Sequence, residues 1–471
     1  MTRSTEPVMS SPRYSGQARY DLTRFPAAKA LLINRWPQFL VRVIALVGFL
    51  FAILAGLSGT PVGSRNFGIV FIWIVWWALL ILVAVPLLGR GWCTICPIPM
   101  PGEWLQNRAL LGPKGRKPPF GLGRKWPKSL RNIWVQNGAF ALLALFSAVV
   151  LTQPGVTAVI LAAFLFIALG TSLIFERRAF CRYLCPVGGF IGLYSQAAPV
   201  EVRVRDTAVC AAHTTKTCYT GSEDGFGCPW GVFPGGLVKN TNCGMCLECL
   251  RTCPLDNVAI NIRSVGADLT QPRGRKLDEA FKAFIMLGSA FVYSAVMLGP
   301  WGQMKAAAYN IGSLPWLLYI LVFLVFTFGL LPGLFYLATR AGQILTPRRQ
   351  SSRKSFTAYA YALVPLGLAA WIAFSLSFVF ANASYILPVL SDPLGWGWDL
   401  LGTAEYGWTP YLTQHVPALQ TLVMVVGLAW AGVTVRRIAQ ESNNPVSWRQ
   451  AIPINLFCLL VTVGFLWLFV G

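Results

Sequence analysis

Charged residues are scarce in this sequence, and acidic ones are the scarcest. Asp, Glu, Lys and Arg make up 12% of the 471 residues, while 55% of the residues are hydrophobic. A typical soluble domain has about 25% charged residues, so this composition excludes an ordinary soluble globular protein. The long apolar runs contain almost no ionisable groups. This argues against an ion-pumping pathway, which needs such groups at depth in a membrane.

Histidine is nearly missing as well. The chain has two, His213 and His415, and neither falls in a long apolar run. A b-type haem held by histidines inside a helical bundle is therefore disfavoured. The first 35 residues also lack a short apolar core followed by a small-residue cleavage site, so we expect no removable signal peptide.

Long apolar runs, by contrast, are abundant. About nine of them reach the roughly 20 residues that a helix needs to cross a bilayer. The sequence therefore predicts an all-α polytopic membrane protein of about nine transmembrane helices. The predicted spans are residues 38–58, 67–88, 134–152, 155–175, 280–300, 314–338, 356–382, 417–435 and 451–470.

Basic residues are distributed very unevenly between the predicted loops. The chain has 39 Lys and Arg against 17 Asp and Glu, a net charge of +22. Nearly all of the basic residues lie in loops on the side of the N-terminus, whereas the opposite side has only Arg65 and Lys305. This pattern predicts a multi-pass protein of a bacterial cytoplasmic (inner) membrane with its N-terminus inside. We attribute the positive charge to topology and attraction to anionic lipid, and expect no nucleic-acid binding.

The domain organisation follows from shifts in composition. We predict a small α+β ferredoxin-like domain inserted between the fourth and fifth spans, because the cysteine-rich stretch there begins, within residues 199–209, with the alternating run PVEVRVRD. Two similar segments, GRGWCTICP and ERRAFCRYLCP, each follow a pair of helices and predict a tandem repeat. The predicted units are a basic cytoplasmic segment (1–37), a four-helix membrane repeat (38–198), the ferredoxin-like domain (199–270) and a C-terminal bundle of about five helices (280–471).

The strongest motif is the run Cys243, Cys246, Cys249 and Cys253 followed by Pro254. Its C-x2-C-x2-C-x3-C-P spacing is the one that bacterial ferredoxins use for [4Fe–4S] clusters, in which the fourth cysteine binds the other cluster of a pair. Zinc sites rarely use three cysteines within seven residues followed by Cys-Pro. The run therefore predicts an iron–sulfur module.

The matching half of the pair is irregular, because a histidine stands where a cysteine is expected. His213 follows Cys210 at the x2 spacing, and the alternative is that His213 is a surface residue beside a three-cysteine site. The predicted ligands are Cys228, Cys243, Cys246 and Cys249 for the first [4Fe–4S] cluster, and Cys210, Cys218, Cys253 and His213 for the second.

Four further cysteines lie in the two repeated loops. They are Cys93, Cys96, Cys181 and Cys185. Reducing conditions on the cytoplasmic side favour thiolate ligands over disulfides, so these residues predict a further iron–sulfur or metal centre. A redox-active dithiol pair and simple structural turns remain alternatives. Arg177, Arg178 and Arg182 could stabilise an anionic centre or anchor to lipid headgroups. Cys458, inside an apolar span, is expected to be a packing residue.

The loop of residues 383–416, on the opposite side, combines acidic residues with many aromatic ones. Asp392, Asp399, Glu405 and His415 lie among several Trp and Tyr. An interfacial aromatic belt is one interpretation. A docking or quinone-edge site for a periplasmic partner is the other.

The WCTICP and FCRYLCP loops, followed by CGMCLECLRTCP, resemble the membrane polyferredoxin family. That family includes the quinol-oxidising membrane subunit of periplasmic nitrate reductase systems, the membrane protein that supports nitrous oxide reductase and the ferredoxin-type accessory protein of cytochrome oxidase assembly. The resemblance covers about residues 38–265. The first loop departs from it with CxxCP in place of CxxxCP, and so does the irregular half at His213. No flavin-binding domain of the nitrous-oxide type is found.

The resemblance implies electron transfer between the quinone pool or a cytoplasmic donor and a partner redox protein or reductase complex. Quinol would be the one small molecule that such a protein transforms. A second hypothesis is an accessory protein that supplies reductant for the maturation of a metalloenzyme of the nitrogen-oxide reductase or oxidase type. A metal-ion transporter or sensor ranks third, because the spans lack charges.

Overall fold

The computed structural model describes residues 18–113, 119–299, 302–345, 351–441 and 447–470. Most of the predicted basic N-terminal segment, residues 1–17, and parts of two predicted basic loops, residues 114–118 and 346–350, lie outside the described residues.

The chain is mostly helical, and eight of its described helices are long and apolar enough to cross a membrane. The predicted span 134–152 differs, because its helix stops after 12 residues and a short helical turn, Ser147–Val150, follows a break at Phe146. We label the long helices and this shorter one α1 (Trp36–Ser58), α2 (Phe67–Ile95), α3 (Trp134–Leu145), α4 (Pro154–Ile174), α5 (Leu277–Met297), α6 (Leu314–Ile344), α7 (Ser352–Ser391), α8 (Thr413–Gln440) and α9 (Trp448–Val470).

Local sequence explains where several of these helices begin. Pro154 occupies the first position of α4, where its fixed φ and missing N–H fit a helix start. At the start of α2 the side chain of Asn66 accepts a hydrogen bond from the backbone N–H of Gly68 at 2.8 Å. At α6 the Ser313 hydroxyl accepts one from the N–H of Trp316 at 3.2 Å. Each cap satisfies a backbone donor that the helix itself leaves free.

Helix α5 lies at the centre of the bundle. In its most apolar stretch 78% of the residues are buried within the protein, against 22% in α1. It packs against α3 on one side and α7 on the other. Side chains of α1 therefore face outward, where lipid would cover them, while α5 connects the first four helices to the C-terminal ones.

A small sheet lies outside the long helices. Its strands are β1 (Arg19–Asp21), β2 (Val200–Val204) and β3 (Val258–Arg263), in the antiparallel order β1-β3-β2. The short strand predicted from PVEVRVRD is confirmed by β2, which spans Val200–Val204 of that run. The ferredoxin-type cysteines lie in the long connection between β2 and β3. Because β1 pairs with β3, residues 19–21 lie at the same end of the bundle as the cysteine-rich module.

A short helix, Pro186–Tyr194, follows Cys185 and is buried at this end. It packs against α3, α5 and α7. The second repeated cysteine loop is thus held inside the protein by helices from both halves of the chain.

Candidate iron–sulfur centres

The thiols of Cys228, Cys243, Cys246 and Cys249 surround one cavity, which we call the first cysteine group. Apolar side chains complete its wall, among them Val202. Burial raises the pKa of the Cys249 thiol well above its usual value, and the nearby thiols of Cys246, Cys243 and Cys228 raise it further. Four separate sulfurs therefore converge, as one cubane requires.

Trp230 fixes the shape of this cavity. Its indole lies in the cavity wall, is 2% exposed, and packs against Gly244 of the C-G-M-C run. A Cβ at Gly244 would lie 1.7 Å from Trp230 Nε1, so only glycine fits there. The turns on either side of Cys246 place Met245 and Leu247 at positive φ, 50° and 67°, which L side chains rarely adopt.

The donors around the first group suit a cluster. The buried Nε1–H of Trp230 has no hydrogen-bond partner among the described residues. The Val232 N–H donates to Cys228 Sγ at 3.4 Å. Cluster sulfides and thiolates accept such bonds. In the described part of the chain no three His, Cys, Asp or Glu side chains lie close enough to hold a single metal ion, whereas a cubane is wider because each cysteine binds a different iron.

The second cysteine group consists of Cys210, Cys218 and Cys253. Burial raises the pKa of Cys218 to about 11, with contributions from the thiols of Cys253 and Cys210. Asn257 connects two of the three, because its backbone N–H donates to Cys253 Sγ at 3.3 Å and its side-chain amide to Cys210 Sγ at 3.2 Å. His213 lies half-buried at the end of the helix Thr207–Ala212. That its ring supplies a fourth ligand stays a prediction.

The four cysteines of the repeated loops form a third group, the loop group. Burial raises the pKa of Cys185 to about 12, and the thiols of Cys181 and Cys93 raise it further. Burial likewise raises the pKa of Cys181, with Cys96 and Cys93 adding to the effect. Thiols from the two repeat units thus face one another where α2 ends and the chain leaves α4.

Direct contacts join the loop group to the first group. The Thr94 hydroxyl donates to the carbonyl of Gly244 at 2.7 Å. Arg178 Nη1 donates to the carbonyl of Cys93 at 2.9 Å, and the Arg178 N–H donates to the carbonyl of Pro229 at 2.9 Å. Cys218 of the second group is in turn close enough to Cys249 to raise its pKa. The three groups therefore lie in a row in space, in the order loop group, first group and second group, with the loop group nearest the helices.

A buried carboxylate, Glu103, holds this junction together. It forms ion pairs with Arg178 and with Arg42, the latter at 2.5 Å. Burial alone would raise the pKa of Glu103, but the two guanidinium groups outweigh it and lower the pKa to about 2. Arg178 is thereby neutralised, although it faces the thiols of Cys181 and Cys246.

Replacing Glu103 with glutamine is expected to destabilise the protein by roughly 3–5 kcal/mol, because the buried Arg178 and the partly buried Arg42 lose their counter-charge. The contribution of Glu103 should be constant above its unfolded pKa of about 4.3 and disappear as the pH falls towards the folded value of about 2. Thermal unfolding in detergent at neutral pH measures the loss. Glu223→Gln, at an exposed position, is the matched control; equal melting temperatures for the two variants would contradict the expectation.

Two acidic residues of the loop 383–416, Asp392 and Asp399, accept hydrogen bonds from the loop itself. Asp392 accepts the N–H of Trp396 at 3.0 Å and of Gly397 at 2.7 Å. Asp399 accepts the Ser391 hydroxyl at 2.6 Å. These are turn contacts, and Trp396 is exposed, which favours the interfacial belt over a binding site. Cys458 is buried among apolar side chains of α9, as expected for a packing residue.

Three residues near the loop group were not singled out by the sequence, namely Arg90, Gln136 and Lys282. Arg90 Cζ lies 4.5 Å from the centre of the Trp230 ring. Gln136 Nε2 donates to the carbonyl of Cys181 at 3.4 Å. Lys282 offered a signal, since it is a lysine inside an apolar span.

Comparison with known proteins supports an iron–sulfur function. The sequence profile of a family described as a 4Fe-4S binding domain matches residues 69–118 and 157–203. These two segments contain the repeated cysteine loops. Over 84 residues the chain is 29% identical to YccM of Escherichia coli (strain K12), a protein named for an inferred role in electron transport. That match covers 17% of this chain and 21% of YccM. No solved structure matches.

These similarities, together with the apolar helices, support a membrane protein with iron–sulfur cluster binding and a role in electron transfer.

Proposed function

We propose that this protein carries electrons between the quinone pool, or a cytoplasmic donor, and a partner redox protein. The observation that carries the proposal is the spatial row of three adjacent cysteine groups. The row begins at the helix ends and continues into the extramembrane module. Iron–sulfur clusters, when bound, accept and release single electrons.

The residues divide into three proposed ligand sets. The first and second groups would hold two [4Fe–4S] clusters, with His213 completing the second set. The loop group would hold a third centre. Support for the third comes from the family match, whose two segments contain Cys93 and Cys96 in one and Cys181 and Cys185 in the other.

Other residues of the chain provide surroundings that suit clusters at the three cysteine groups. Apolar side chains line the cavity of the first group, and Cys249 is buried in it. Asn257 and Val232 donate N–H groups to thiol sulfurs. Hydrogen bonds and solvent exclusion are two of the means by which proteins set cluster potentials. We further propose a bacterial inner membrane as the location, with the cysteine module on the cytoplasmic side, because basic residues concentrate there.

Stopped-flow reduction of the anaerobically purified protein by a menaquinol analogue tests the proposal. We expect the absorbance of the clusters to bleach on mixing, with dithionite giving the full amplitude. Bleaching by dithionite but not by quinol would refute quinol as donor and favour the accessory role, in which a cytoplasmic reductant supplies electrons for metalloenzyme maturation. A protein without reducible centres would refute both.

A further inference from the structure

Two buried cations, Arg90 and Lys282, lie beside the loop group, and neither forms an ion pair with a carboxylate in the part of the chain that the structure describes. They are 3% and 1% exposed. Among the described residues, Nε and Nη1 of Arg90 have no hydrogen-bond partner. Lys282 Nζ donates to the neutral amide oxygen of Gln136 at 3.1 Å. A buried charge destabilises a protein unless an opposite charge compensates it.

The nearest carboxylates are engaged elsewhere. Asp278 accepts the backbone N–H of Ile133 at 3.0 Å and that of Glu279 at 3.0 Å. Glu279 accepts the Tyr361 hydroxyl at 2.5 Å and lies 3.5 Å from Lys239 Nζ. Neither carboxylate forms an ion pair with Arg90 or Lys282 in the described part of the chain.

The short helix Pro186–Tyr194 is shaped to admit both cations. A Cβ at Gly189 would lie 2.0 Å from Lys282 Nζ, and a Cβ at Gly192 would lie 2.0 Å from Arg90 Nη2. Two glycines one turn apart therefore open the face of this helix to cationic groups that come from α2 and α5. This arrangement places the charged groups of Lys282 and Arg90 close to the loop that ends at Cys185.

The groups that face these cations are mainly thiols. Arg90 faces Cys93, Cys181, Cys185 and, from the first group, Cys243. The charged and titratable neighbours of Lys282 are Arg90, Cys185, Asp278 and Glu279. Arg90 and Lys282 repel each other, so negative charge on the side of the thiols would stabilise their joint burial. A cubane with four thiolate ligands carries net negative charge.

We propose that Arg90 and Lys282 are the built-in counter-charges of an anionic iron–sulfur centre held by Cys93, Cys96, Cys181 and Cys185, and that they raise its reduction potential. The inference rests on the loop centre of the proposed function. Reduction adds negative charge to the centre, and fixed cations nearby stabilise the reduced form more than the oxidised form. Arg178 contributes less, because Glu103 neutralises it.

Redox titration followed by paramagnetic resonance tests this assignment on the full-length protein. The loop-centre signal is the one that Cys185→Ser abolishes. In Lys282→Met we expect the ratio of reduced to oxidised loop centre at a fixed potential to fall about tenfold, which is about 59 mV for a one-electron couple. Lys282→Arg should stay near the parent. Lys305→Met, the same change beyond the far end of α5, is the matched control and should leave the potential unchanged.

A second variant tests the same point without removing a charge. Gly189→Ala would push the Lys282 ammonium away, so we expect a smaller shift in the same direction, whereas Gly138→Ala, where a Cβ meets nothing within 4 Å, should have no effect. Loss of the centre from Lys282→Met but not from Lys282→Arg would also support the counter-charge role. An intact loop centre with the parent potential in both Lys282→Met and Gly189→Ala would overturn it. A parent protein whose iron content accounts for the ferredoxin-type clusters alone would instead overturn the loop centre itself.

Discussion

Replacing Cys249 with serine should remove about four irons per chain together with the first cluster. Cys249 is the most central member of the first group, since the thiols of Cys246, Cys243, Cys228 and Cys218 all lie near it. Serine binds iron more weakly than thiolate, and its hydroxyl would be left in a cavity with apolar walls. Iron and acid-labile sulfide analysis of anaerobically purified protein measures the loss.

The size of this effect has a structural cause. The stretch from Cys243 to Leu247 holds two non-glycine residues at positive φ, Met245 and Leu247, and packs Gly244 against Trp230. Such backbone strain persists only when surrounding interactions offset it, and a cluster bound by the cysteines would do so. We therefore expect the Cys249→Ser variant to be cleaved faster by protease within residues 228–253. Cys458→Ser is the control, because Cys458 is a packing residue in α9. The hydroxyl of the introduced serine could bond to the helix backbone. Parent iron content in Cys249→Ser would show that the ligand set is wrong.

The first cysteine group could be predicted from the sequence because three of its members lie close together in the chain. Cys243, Cys246 and Cys249 lie within seven residues, and the loop that joins them is too short to let their sulfurs separate. Cys228 was foreseeable from the Cys-Pro that follows ferredoxin runs. The second group was less complete, since the position equivalent to a cysteine carries His213, and spacing alone says nothing about where an imidazole ring points.

The fold was foreseeable to a similar extent. Apolar length predicted the long helices, but the break at Phe146 left no signal in the sequence, because ALLALFSAVV has no glycine or proline to mark it. The pairing of β1 with β3 was not foreseen either. It joins Tyr20 to Ile262, residues far apart in the chain, and a three-residue strand has no periodicity of its own.

Charge partners were the hardest to foresee, because they depend on packing between distant segments. Lys282 and Arg90 come from α5 and α2, and they meet through glycines of a third element, the helix Pro186–Tyr194. The sequence showed a lysine in an apolar span, but not which negative group it serves. That group becomes apparent only when the cysteines of both repeats lie beside it.

The loop group provides the sharpest test of the whole arrangement, because its cysteines come from two repeat units. If one centre is shared, Cys96→Ser in the first repeat and Cys185→Ser in the second should each remove the same irons, about four per chain for a cubane. Both variants should keep the signals of the ferredoxin-type clusters. The cysteines of the first and second groups lie on the other side of the contact between Thr94 and Gly244. Iron analysis and paramagnetic resonance of the two variants side by side measure this.

The redox-dithiol alternative predicts a different result. In that case each repeat would act on its own, iron content would match the parent in both variants, and alkylation of the oxidised parent would detect a disulfide within each pair. The geometry favours the shared centre, because Cys181 faces Cys96 and Cys93 of the other repeat, and Cys185 faces Cys93. A dithiol pair would moreover be uncharged both as reduced thiols and as an oxidised disulfide. Arg90 and Lys282 would then be buried beside neutral groups in either state. The anionic centre that we propose would instead compensate both cations in every redox state.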